Sequence, residues 1–217
     1  MKRLILCTLI ISSSVAAQPN LQYHEPSLSF QMAQNNDEWI GTVSGTIQAT
    51  EEINISAEID STGYLELGTG YGIMLGSVYT EAYVSYGRAD IIDIYDVGLF
   101  AATALTPQLM VFGNTSHEWR KNTLGEHLPV FDHTEREWKN TLGASYSFNP
   151  WVNASYTFNY DKNLTDSGYR TNQDIQLTFK PRWVEPYIKY TFGDHRVTPS
   201  SGVTGEDSIE FGVNVRF

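Results

Sequence analysis

Ser116, His117 and Glu118, inside the phrase "NTSHEWR", set a nucleophile, a base and a carboxylate side by side. Acyl transfer needs these three groups in one hydrogen-bonded chain. The flanking residues alternate between apolar and polar, so the segment reads as a strand, where neighbouring side chains point to opposite faces. Such a triad cannot form locally. His127, His133 and His195 fall in loop-like stretches with Glu126, Asp132, Glu135 and Asp194. Their spacing matches no zinc-ligand pattern, and they read as solvated loop polarity. "LGTGYG", Leu67–Gly72, has the glycines of a phosphate loop, but no strand–helix unit follows it. Glycines inside strands serve curvature instead, with an aromatic such as Tyr71 covering the neighbouring backbone. No catalytic group, metal or cofactor is expected. What remains is the chemistry of charges repeated at every second position.

Those charges belong to a period-two pattern that recurs along the chain, while helical periodicity is nearly absent. Clear cases are Ile53, Ile55, Ala57 and Ile59; Leu142, Ala144, Tyr146 and Phe148; Val152, Ala154, Tyr156, Phe158 and Tyr160; and Ile209, Phe211, Val213, Val215 and Phe217. Twelve such segments are legible, with ten the alternative count, each about as long as the 9–11 residues with which a tilted strand crosses a bilayer. A secreted β-sandwich would alternate too, but its strands are shorter, near 5–6 residues. Tight turns at Leu75-Gly76-Ser77, Thr106-Pro107, Asn149-Pro150 and Pro181-Arg182 alternate with longer polar loops at Lys121–Glu135, Asp161–Ser167 and Gly193–Asp207. Short turns on one side and long loops on the other predict an all-β, antiparallel transmembrane barrel. Phe148, Trp151, Phe179, Trp183 and Phe192 fall near strand ends, where interfacial aromatics belong.

The beginning of the chain suits this reading. Lys2 and Arg3 precede an apolar run, Leu4–Ile11, and the small residues Val15-Ala16-Ala17. That pattern is expected to be a signal peptide spanning 1–17, cleaved after Ala17, leaving 18–217 as one barrel domain. Cys7, the single cysteine, lies inside it, so no disulfide or thiolate chemistry is expected in the remainder. The formal charge is −11 with the leader. A chain this acidic is unsuited to nucleic acid.

The last residues resemble the ending of Gram-negative outer-membrane β-barrels: Gly212, two residues, hydrophobic Val215, one residue, and the final aromatic Phe217. In that family the segment is an assembly signal for the barrel-assembly machinery. The resemblance therefore implies an outer-membrane protein surrounded by lipid and lipopolysaccharide. In size, strand count and ending the chain is similar to small monomeric 12-stranded porins of the oligogalacturonate-specific type. That likeness implies a monomer passing small polar solutes.

In a barrel, a charge within a strand faces the lumen, because on the lipid face it costs roughly 2–4 kcal/mol for Arg or Lys near the midplane. Parity accordingly points Glu58, Glu66, Glu81, Glu137, Asp174, Glu185 and Glu210 inward, with Lys139, Arg170, Lys180, Lys189 and Arg216. It does not place Asp93, Asp96, Glu118 or Arg120. Residues 18–119 contain 13 acidic side chains and one base, Arg88, whereas 120–217 contain 12 acidic and 11 basic ones. An acidic wall should thus face a mixed wall. The similar porins present basic tracks to anionic sugars; here any track would draw on Lys139, Arg170, Lys180 and Lys189. A water-filled pore with an acid bias is one outcome. A structural or adhesive barrel closed by ion pairs across the lumen is the second, and a membrane-embedded lipid hydrolase a distant third.

Overall fold

The alternating segments become strands along most of the chain described by the computed structural model, which covers residues 26–35, 38–123, 133–181 and 183–217. The expected signal peptide lies outside the described residues, as do Glu126, His127 and Asp132. The strands are β1 (Ser27–Asn35), β2 (Glu38–Gln48), β3 (Ile53–Asp60), β4 (Leu65–Leu75), β5 (Val78–Ala89), β6 (Ile92–Ala104) and β7 (Leu109–Asn122). They continue as β8 (Thr134–Asn149), β9 (Val152–Asn163), β10 (Tyr169–Phe179), β11 (Val184–Gly193), the short β12 (His195–Arg196) and β13 (Val203–Thr204), and β14 (Ser208–Arg216). Each long strand pairs antiparallel with its chain neighbours, and β14 sits between β11 and β1, giving a closed 12-stranded barrel. Closure runs from Ser27 opposite Arg216 to Ala33 opposite Glu210. The expected architecture is therefore present, including the terminal strand sealing against the first.

Turn chemistry sets the hairpins at the end where both termini lie. Gly76 takes a positive φ of 66° between β4 and β5. Asn149 Oδ1 accepts the backbone N–H groups of Trp151 and Val152 at 2.8 and 3.0 Å, fixing the β8–β9 turn as an Asx turn. At the opposite end short links join β3 to β4 and β5 to β6, and the longer connections follow β7, β9 and β11, where the sequence reading put them. Asp60 makes the β3–β4 link tight by accepting from Thr62 N at 2.8 Å and Tyr64 N at 3.2 Å.

The outer face is a broad apolar belt. Phe30, Val43, Ile55, Leu67, Val84, Leu99, Leu142, Leu177, Ile188 and Phe211 are all exposed on it. A patch encircling the molecule is far larger than water-facing surfaces tolerate, and hydrocarbon is what covers it. Phe148, Trp151, Phe179 and Trp183 are exposed at the end of the tight turns, whereas Phe192 lies at the other end, near Tyr190.

Inside, aromatic rings lie over glycines of the adjacent strand. A Cβ on Gly98 would meet Tyr83 at 2.4 Å, one on Gly143 would meet Phe112 at 2.1 Å, and one on Gly212 would meet Tyr187 at 2.2 Å. Tyr71, expected to do this, faces outward; Tyr79 covers Gly72 and Tyr64 covers Gly87. Beside the β6–β7 turn, Tyr83, Phe100, Ala102, Met110 and Phe112 form an apolar cluster within the barrel. Phe100 and Phe112 stack with centroids 6.3 Å apart. Gly143→Val should therefore lower the urea midpoint of unfolding, by overpacking worth about 1–3 kcal/mol. An unchanged midpoint would show that Phe112 can leave Gly143 freely.

Candidate functional site

The residues that parity points inward fall at two levels of the barrel. Glu58, Glu66, Glu137, Lys139, Arg170, Asp174, Lys189 and Glu210 line a central cavity. Glu81 and Glu185 are buried inside the barrel nearer the tight-turn end. Arg216 pairs with Glu185 at 2.7 Å, and Lys180, just past the end of β10, acts on both of them electrostatically. The strands that parity left open put Asp96, Glu118 and Arg120 inside. Asp93 instead stays at the outer rim, accepting from Tyr86 Oη at 2.9 Å, with Arg88 3.6 Å away.

Charge pairing runs along the wall rather than across the lumen. Lys189 meets Glu210 at 2.7 Å on the adjoining strand, and Lys139 meets Glu118 at 3.0 Å. Arg170 grips Glu137 through two donors at 2.7 and 2.6 Å and lies 3.5 Å from Asp161. Arg120 donates to Glu118 at 3.0 Å. Facing side chains on neighbouring strands are about 5 Å apart, so the mixed wall neutralises itself locally. Of the acidic wall, Glu118 at its edge takes two of these cations, Lys139 and Arg120, while none of them contacts Glu58, Glu66 or Asp96.

The largest departure from the sequence reading is the last loop. Residues 193–207 were read as a polar loop with His195 solvated, yet His195, Thr198 and Pro199 are buried, and 195–199 line the cavity. Gly193 begins the inward turn at φ 93°, where a Cβ would meet the Thr171 carbonyl at 2.5 Å. His195 Nδ1 donates to the Gly193 carbonyl at 2.8 Å, and its Nε2 lies 2.8 Å from Ser208 Oγ. That ring is a loop pin, and among the described residues no cluster of His, Cys, Asp and Glu could hold a metal ion. Arg196 then reaches Glu137 at 3.0 Å and Glu135 at 3.3 Å, and Arg120 donates to the Pro199 carbonyl. Ser200 Oγ comes within 3.2 Å of Thr62 Oγ1 on the β3–β4 link. The loop thus crosses the mouth from β11 to two other parts of the wall. Burial and then the neighbouring Arg120 pull the Arg196 pKa below its ordinary value, with Glu137 and Glu135 opposing. Buried carboxylates drew the loop inward, and its sequence gave no sign of their depth.

With this geometry, the solved structures to which the chain is similar include porins. The likeness is one of fold. NanC porin superposes with a TM-score of 0.72 at 12% identity, covering 88% of this chain and 100% of that one. KdgM porin gives 0.70 at 15% identity, covering 88% and 99%. An outer membrane channel from Pseudomonas putida F1 gives 0.57 at 10% identity over 89% and 94%. No family model and no curated protein sequence matches. The architecture expected from the small 12-stranded porins is thus present, without sequence kinship that would carry their solutes across.

Two features decide what the lumen can do. The cavity measures about 120 Å³ to water centres, room for roughly ten waters at 10–15 Å³ each. Its described lining holds seven carboxylates, Glu58, Glu66, Asp96, Glu137, Asp161, Asp174 and Glu210, against five bases, Arg120, Lys139, Arg170, Lys189 and Arg196. The Ser116–His117–Glu118 cluster is split as strand geometry requires. Ser116 Oγ donates inward to Asp96 at 3.2 Å, while His117 packs against Trp119 with ring centroids 4.3 Å apart.

Proposed function

We propose that this protein is a passive outer-membrane channel for small polar solutes, with a preference for cations. The observation that carries the reading is the uncompensated carboxylate excess of the cavity lining. Carboxylate walls at close quarters raise the local concentration of cations and repel anions. The porin-type fold supports a conduit, and the apolar belt supports a lipid surround. Gly212, Val215 and Phe217 would serve as the signal for the barrel-assembly machinery, and the barrel would act as a monomer in a membrane of lipid and lipopolysaccharide. KdgM porin has been solved in complex with disordered oligogalacturonate; the acid bias here argues against an anionic sugar. Transport would be diffusive, with no cofactor.

In planar bilayers separated by a salt gradient, refolded protein should show steady conductance and a reversal potential of the sign set by cations. An anion-selective potential would overturn the acid-wall reading. The small cavity under the loop favours a second reading, a non-conducting structural barrel. Absence of any conductance from a folded, heat-modifiable barrel would establish it.

A further inference from the structure

On the mixed wall every base that lines the cavity already touches a carboxylate. On the acidic wall Glu58, Glu66 and Asp96 line the same cavity. Among the described residues none of the three has a lysine or arginine within ion-pair distance. Lys139 acts on Glu66 and Asp96 through space, and Lys189 on Glu58, but each ammonium is in contact with a different carboxylate, Glu118 or Glu210. Glu66 accepts from the Tyr64 hydroxyl, and Asp96 Oδ2 from Ser116 Oγ at 3.2 Å.

Asp96 Oδ1 is a buried oxygen with no hydrogen bond of good geometry, on a residue only 3% exposed, although the adjacent Val97 N–H acts on the carboxylate. Buried charge persists where it is paired and hydrogen-bonded, so this oxygen calls for a donor from outside the chain. The donor is not a bare metal ion, because no three ligating side chains among the described residues gather closely enough to hold one. Spaced carboxylates suit a cation that carries several N–H donors and some length. The protein provides an internal example, since the Arg196 guanidinium bridges Glu137 and Glu135 in the same cavity.

We propose that Glu58, Glu66 and Asp96 form a subsite for linear organic cations bearing ammonium or guanidinium groups. This rests on the channel reading for its purpose, not for its existence. One end group donates to Asp96 Oδ1, and the chain continues along the lumen toward Glu58 and Glu66. The full-length refolded barrel is titrated with 1,4-diaminobutane by calorimetry in detergent, and the same amine is added to bilayers. Saturable binding is expected. Asp96→Asn and Glu58→Gln should each weaken it about tenfold, the size of one lost charge-assisted hydrogen bond. Asp166→Asn, in the exposed β9–β10 loop, should bind as the unaltered protein does. Two variants guard against a folding defect in either, and heat-modifiability checks both. Binding by a barrel that passes no current would uphold the subsite while removing the channel. Normal cation conductance with no saturable amine binding, or with variants that bind undiminished, would overturn the subsite and leave the channel standing.

Discussion

Replacing residues 195–204 with a short glycine–serine linker is expected to raise single-channel conductance several-fold while the barrel stays folded. The loop fills the mouth: residues 195–199 line the cavity, and Thr198 and Pro199 are buried. Little else depends on it. The barrel closes through β1, β11 and β14, and Thr191 lies opposite Ser208, so a short linker bridges the two strand ends without strain. Excision removes the Arg196 and Pro199 anchors, and with them the bridge to Thr62. Arg196→Ala should give a smaller increase, because the His195 pin and the contact with Arg120 persist. If excision leaves conductance unchanged, the limiting constriction lies lower, at the Tyr83, Phe100 and Phe112 cluster.

That loop also marks how far the sequence could be read. Strand existence, closure and the inward set from Glu58 to Arg216 follow from period two, because one misplaced charge on the lipid face costs more than any local preference supplies. Asp96, Glu118 and Arg120 were not legible for a definite reason. Their strands carry Ile94, Phe100, Met110 and Phe112 on the inner face, so both faces read as apolar and the parity signal vanishes. Asp161 was assigned to a loop, but β9 extends to Asn163 and points it inward. Its parity with Asn153, Thr157 and Asn159 was available in the sequence. The fold of residues 193–207 was not, because it depends on carboxylates some 60 positions away. Alternation reports local faces, whereas a loop settles on the sum of distant ones.

Glu137→Ala should destabilise the barrel by about 3–5 kcal/mol, the range for removing one partner of a buried ion pair. The Glu137 side chain is fully buried, and it accepts two bonds from Arg170 and one from Arg196. Without it Arg170 keeps only Asp161 at 3.5 Å, and Arg196 keeps Glu135 at 3.3 Å. Glu137→Gln retains the volume and one acceptor, so its cost should be smaller, and comparing the two separates lost packing and hydrogen bonds from lost charge. Urea titration in phospholipid vesicles, followed by tryptophan fluorescence, measures both. The change also alters the local field: Glu118, Glu135 and Asp161 would face Arg120, Lys139, Arg170 and Arg196, turning this part of the wall net positive. Reversal potentials should then move toward anions in both variants by a similar amount, because each removes the same charge. A cost below about 1 kcal/mol, the value typical of solvated surface pairs, would mean that water screens Arg170 and Arg196 where the geometry shows them enclosed. Water reaching that depth would make the lumen wetter than its static volume implies, and the loop a looser cover than its contacts suggest.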